Sequence, residues 1–241
     1  MRRMVYEYAQ QLFRTGRFRE LIESFQRTGE RESDLRVRIL VSHALALCGE
    51  VKSARALVSE IQHASTLIRS QREAILGIVS WRLGETESAW KHLNSALQAA
   101  LESRDPERIA WASLQLLRVA IDARPIDALS TILPRARKAV TVAGIPSASA
   151  YLHVCVGTME ASRGHLDEAW RHCDIAESLL EIEPNAWVLT GALVNKGSIA
   201  TIRCEFSTAV ELFRRVTEIA EVTGTVRNQV AAKSNLGYLQ F

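Results

Sequence analysis

Proline is scarce in this chain, with 5 in 241 residues, and no Ser/Gly-rich stretch interrupts it. Few helix breakers and no linker composition predict that residues 1–241 form one domain. No apolar run approaches the ~20 residues of a membrane span, so no membrane contact is expected. The basic start, Met1-Arg2-Arg3, leads into an amphipathic stretch carrying Tyr6, Leu12 and Phe13. That pattern lacks the apolar core of a secretory leader. The 4 cysteines, Cys48, Cys155, Cys173 and Cys204, have no CxxC spacing and fall where helices would pack. Buried, reduced thiols and a cytoplasmic setting are the expectation.

A strong charge of one sign is also missing, because the formal net charge is only +3. Arg17, Arg19, Arg31, Arg36 and Arg38 gather near the N-terminus, but Glu20, Glu23, Glu30, Glu32 and Asp34 interleave with them. A mixed, solvated face follows, with no direct nucleic-acid contact through this segment. No G-x-S-x-G, P-loop, dinucleotide fingerprint or H-E-x-x-H occurs, so neither an enzyme nor a cofactor is expected. His153, Cys155, His165, His172 and Cys173 are the densest His/Cys group. His153 and Cys155 stand two apart and cannot share a helical face, so no metal site is expected.

What is present is a glycine clock. Gly157, Gly197 and Gly237 stand 40 residues apart, and Gly77 lies two such steps before Gly157. Seven residues after Gly77 and Gly157 come Gly84 and Gly164; five beyond, or after Cys204, come Ala89, Ala169 and Ala209. Four further on are Leu93, Cys173 and Phe213. Gly49–Ala54–Val58 and Gly16–Leu21–Phe25 keep part of the pattern. Such a period marks stacked pairs of antiparallel helices. The small residue on helix A admits helix B closely, a turn glycine ends helix A at positive φ, and the alanine packs between the two.

These residues resemble the tetratricopeptide repeat. HEAT-like repeats share the longer period but not the glycine–alanine pattern. The period of 40 exceeds the family's usual ~34, which predicts longer helices, and the family's closing proline is mostly missing. The fold class implied is all-α, a right-handed α–α superhelix of six helix pairs plus a final unpaired helix, Thr225–Phe241. The expected boundaries include helix 2B at Val51–Gln62, Asp105 as N-cap before Pro106, and helix 6A opening at Glu183-Pro184. Gly29 and Ser33 should break the chain after the first pair. Unit four is degenerate: Leu117 replaces the glycine, Arg124-Pro125 the turn, and Pro134 predicts a kink or late start.

The resemblance places the ligand surface on helix A. By register it points to Tyr6, Gln10 and Arg14, then Arg36, Ile39 and His43, then Gln71, Ala74, Ile78, Trp81 and Arg82. Trp111, Leu114 and Arg118 follow in unit four, and Tyr151, Val154 and Thr158 in unit five. Nine of these form the candidate partner site: Tyr6, Arg14, Arg36, His43, Trp81, Arg82, Trp111, Arg118 and Tyr151. Packing between repeats is the competing role for the tryptophans. Ile39, His43 and Ala74 stand where chaperone-binding relatives use Lys and Asn, so a clamp of that kind is not expected. Trp90, Trp170 and Trp187 lie outside this register, and the first two share one helix B position.

The resemblance implies a non-catalytic protein-interaction or signal-sensing domain with a protein or peptide partner. One setting is a larger bacterial transcriptional regulator, of the MalT-like or sigma-54-dependent activator class. The alternative is a free-standing cytosolic adaptor that binds a peptide or helix in its concave groove. Val226, Val230, Leu236, Tyr238, Leu239 and Phe241 give the last helix an apolar face. That face predicts a longer natural polypeptide, and self-association through this helix.

Overall fold

The computed structural model describes residues 2–28, 34–62, 65–123 and 126–239. Gly29, Ser33, Arg124, Pro125 and Phe241 therefore lie outside the described residues. The A helices are α1 (Arg2–Arg14), α3 (Leu35–Leu47), α5 (Thr66–Arg82), α7 (Pro106–Ala123), α9 (Pro146–Ser162), α11 (Ala186–Ile202) and α13 (Val226–Leu239). The B helices are α2 (Phe18–Thr28), α4 (Val51–Ser59), α6 (Thr86–Ser103), α8 (Ile126–Ala143), α10 (Leu166–Ile182) and α12 (Phe206–Thr223). Six pairs and one final helix make a right-handed α–α superhelix, and no strand occurs among the described residues.

One turn repeats five times. The backbone N–H groups of Arg17, Glu50, Glu85, His165 and Glu205 each donate to a carbonyl five residues back, at 2.9 Å. The residue before each donor has positive φ, between 75 and 84° at Gly16, Gly49, Gly84 and Gly164. This closes helix A and satisfies its orphan carbonyls. Cys204 does the same at φ 61° without being glycine. It is exposed at that turn, whereas Cys155 and Cys173 are buried and Cys48 is half-buried. The expectation of four buried thiols is corrected at Cys204, because the turn position faces solvent.

Within pairs, Ala54, Ala89, Ala169 and Ala209 have no exposed surface. A Cβ at Gly77 would stand 2.6 Å from Leu93 Cγ, and one at Gly197 would stand 2.6 Å from Phe213 Cε1. Gly157 is a little looser, with Ala169 O 3.2 Å from where its Cβ would be. Gly237 differs: nothing lies within 4 Å of its would-be Cβ, because no helix B follows it among the described residues.

Helix starts follow local chemistry. Asp34 caps Arg36 N, and Asp105 Oδ1 accepts from Arg108 N at 3.1 Å, with Pro106 at the first helical position. Helix α11 begins after Pro184, with Asn185 Oδ1 accepting from Val188 N at 3.2 Å. Helix α4 ends at Ser59, short of Gln62, where Ile61 turns into the core at 1% exposure. Helix α8 starts at Ile126 and runs through Pro134, so no late start occurs.

Successive A helices touch one another from α1 to α13, forming an inner layer, and each B helix packs outside between its own and the next A helix. The superhelix also closes on itself. A Cβ at Gly16, in the first turn, would meet Thr223 at 3.1 Å and Ala186 at 3.2 Å. One at Gly49 would meet Val226 at 3.2 Å, and one at Gly224 would meet Arg19 at 2.9 Å. The first two units thus rest on the last two, and the inner layer encloses a cavity.

Candidate functional site

The cavity has a volume of about 560 Å³ and lies within the ring of A helices. Tyr6, Gln10, Phe13 and Arg14 of α1 line it, with Arg36, Ile39 and His43 of α3, and Gln71, Ala74 and Ile78 of α5. Glu107, Arg108, Trp111 and Gln115 of α7 complete that wall, and Ser147, Glu183 and Trp187 face it from the ends of later helices. Helical spacing explains the set: residues three and four apart on each A helix share its inward face.

The structure splits the nine predicted partner residues. Tyr6, Arg14, Arg36, His43 and Trp111 come together on the cavity wall. Trp81, Arg82, Arg118 and Tyr151 do not line it and sit beneath, engaged with the protein. Arg118 lies 5.6 Å from the Trp81 ring and Arg227, from α13, lies 4.1 Å from the same ring. Both reach Asp122, at 3.2 and 3.5 Å. Arg82 Nη1 donates to the Ala46 carbonyl. Tyr151 is 4% exposed. These four were expected at an open groove; closure of the superhelix brings α13 over them. Leu114 is fully buried, and neither Val154 nor Thr158 reaches the cavity.

Trp187 is corrected in the other direction. It lines the cavity, and its ring lies 4.7 Å from Tyr151, which lies 6.0 Å from Trp111. Glu107, Ser147 and Trp187 are 40 residues apart and all face the cavity. Stepping the repeat period from the start of α7 finds them. Trp90 and Trp170 pack between helices, as their shared position predicts.

The electrostatics are uneven. Arg36 is held by Asp34 and lies 4.4 Å from the Tyr6 ring. Burial, then Arg82 and Arg108, lowers the His43 pKa to about 4, so its imidazole is neutral at pH 7. Among the described residues its Nε2 has no hydrogen-bond partner, and neither has Nε of Arg82 or Arg108. Burial lowers the Arg82 pKa to about 10, with Arg227 adding to it. Elsewhere, His153 Nδ1 and His172 Nδ1 are 2.8 Å apart, and burial lowers the pKa of His153 to about 4. No group of three or more His, Cys, Asp or Glu side chains is arranged to hold a metal ion among the described residues. Among them too, no helix is long and apolar enough to cross a membrane.

No protein-family model matches this chain, and no curated protein matches it in sequence. Solved structures do match in fold. A Rap protein complexed with Competence and Sporulation Factor aligns with a TM-score of 0.68 at 13% identity, over 99% of this chain and 70% of that one. BtubC (BKLC) from P. vanneervenii aligns at 0.53 and 13% identity, over 91% and 93%. The apo form of RapI aligns at 0.53 and 15% identity, over 98% and 83%. The chain therefore has the fold of the tetratricopeptide-like superhelical repeat proteins. Identities this low establish the fold alone.

Proposed function

We propose that this chain is a non-catalytic interaction module that seats a peptide segment in the cavity of its A helices. The observation that carries this reading is the lining of one cavity by Trp111 and Trp187 together with Arg14, Arg36, Arg108 and Gln115, the two indole rings being bridged from behind by the buried ring of Tyr151. Aromatic and arginine side chains in desolvated pockets supply most binding energy at interfaces. The likeness to a Rap protein solved with Competence and Sporulation Factor adds support for a peptide partner. The reading places the chain in the cytoplasm, where its thiols stay reduced. It serves either as the sensing part of a larger bacterial regulator or as a free-standing adaptor. The regulator setting rests on the repeat resemblance alone, and the adaptor fits the cavity equally well. Sequencing the gene beyond the Phe241 codon separates the two.

A pool of short random peptides, equilibrated with the protein and ultrafiltered, tests the binding. Trp111→Ala should retain at least ~5-fold less peptide, the equivalent of about 1 kcal/mol, with unchanged helicity. Equal retention by the variant removes the reading.

A further inference from the structure

The cavity also constrains the chemistry of its occupant. It is closed across by the contacts of Gly16 with Ala186 and of Gly49 with Val226. A volume of about 560 Å³ falls within the range of sites that enclose drug-sized ligands, roughly 300–1,000 Å³. An α-helix with side chains is ~10–12 Å across and is too bulky for such a space. The fit is to a few extended residues with a free end.

The floor of the cavity is cationic and incompletely neutralised. Arg108 lines it, and among the described residues its guanidinium is paired with Glu107 alone, at 3.6 Å, the Asp105 carboxylate being taken up by the Arg108 backbone N–H. Arg82, packed beside the His43 end, has no ion pair among the described residues. Nε of each of these two guanidiniums is buried without an acceptor among the described residues. Glu183, the other carboxylate facing the cavity, already accepts the Ser147 amide at 3.0 Å. At the mouth, Arg14 adds an exposed guanidinium with no ion pair among the described residues. A guanidinium stays charged and presents five donors, so burying it short of acceptors is costly until an oxyanion arrives. Gln115, 7% exposed, lines the same floor without a hydrogen-bond partner among the described residues. Its amide offers a donor and an acceptor to a peptide backbone.

We infer that the cavity takes a short peptide with an apolar body and an anionic group, the carboxylate seating on Arg108 and the apolar side chains on Trp111 and Trp187. This rests on the peptide reading above. A carboxylate meets a guanidinium with two parallel hydrogen bonds, a geometry that a lysine or an amide does not reproduce.

The test uses three pools of N-acetylated peptides of about six residues. One ends in a free carboxylate, one in an amide, and one in an amide with a single internal Asp or Glu. Each is equilibrated with the intact chain, ultrafiltered and quantified by mass spectrometry. At least one acidic pool should be retained about 10-fold over the neutral amide pool, as a charge-assisted pair requires. Which acidic pool wins distinguishes a chain terminus from an acidic side chain. Arg108→Gln should abolish the preference, while Arg108→Lys, which keeps the charge, restores part of it. Melting of both variants, followed by circular dichroism, checks that they fold. Equal retention of all three pools overturns this inference and leaves the peptide reading standing. No retention of any pool overturns both. A preference for acidic peptides that survives Arg108→Gln removes the assigned seat.

Discussion

Single residues in this protein carry their chemistry through their neighbours. His43 illustrates it: an ordinary surface histidine titrates near pH 6.5, but here burial beside Arg82 and Arg108 lowers the value to about 4. Between those two values the unfolded chain binds the proton and the folded chain does not. Stability from this group is therefore complete above pH 6.5 and is lost as the pH falls towards 4. The amount is on the order of 3–4 kcal/mol, from ~1.4 kcal/mol per pKa unit. Urea unfolding of wild type and His43→Gln, compared across this range, checks it: the variant should lose less stability on acidification. Parallel pH profiles would show that His43 is not held neutral. The sequence marks His43 as an inward residue of helix A, but its charge state depends on Arg82 and Arg108, 39 and 65 positions away in the chain.

At the scale of elements, the 40-residue clock is a packing rule with an exception at the end. Gly197 lies against the ring of Phe213, which has no exposed surface and so cannot swing away. Gly197→Ala should destabilise by roughly 1–3 kcal/mol through overpacking. Gly237 sits in a helix with open space beyond its Cα. There Gly→Ala should stabilise by about 0.5–1 kcal/mol, because alanine has the better helix propensity. Thermal unfolding of the two single variants should move in opposite directions. A shift of the same sign would break the link between the clock and helix contact. Five turns were equally legible, since a residue with positive φ, at Gly16, Gly49, Gly84, Gly164 and Cys204, is followed in each by the same backbone bond. Pro134 was not, because the sequence shows a helix breaker and α8 accommodates it without starting late.

For the whole molecule, the decisive feature is that the ends of the superhelix meet. Val226 packs on Gly49, and Arg227 reaches across to the Trp81 ring and to Asp122. The start of α13 is thus covered by unit two, while Val230 and Tyr238 remain exposed at 56% and 84%. Arg227→Ala removes a partly desolvated cation–π contact and one of the two guanidiniums on Asp122. It should cost about 1–2 kcal/mol and increase the radius of gyration as the ring loosens. Small-angle scattering measures the second effect. An unchanged radius would mean that Arg227 does not hold the closure.

The sequence by itself determined the helix pairs, their turns, the buried alanines and the inward register of helix A. These are local or nearest-neighbour properties, and a period of 40 residues states them directly. The tertiary structure alone decided which inward residues meet an open cavity. Tyr6, Arg14, Arg36, His43 and Trp111 face it, with Trp187 from beyond the expected register. Trp81, Arg82, Arg118 and Tyr151 share that register but lie beneath α13. Small rotations accumulated over seven A helices set the curvature, and curvature brings unit one against unit six. No spacing within a single repeat encodes where that contact falls.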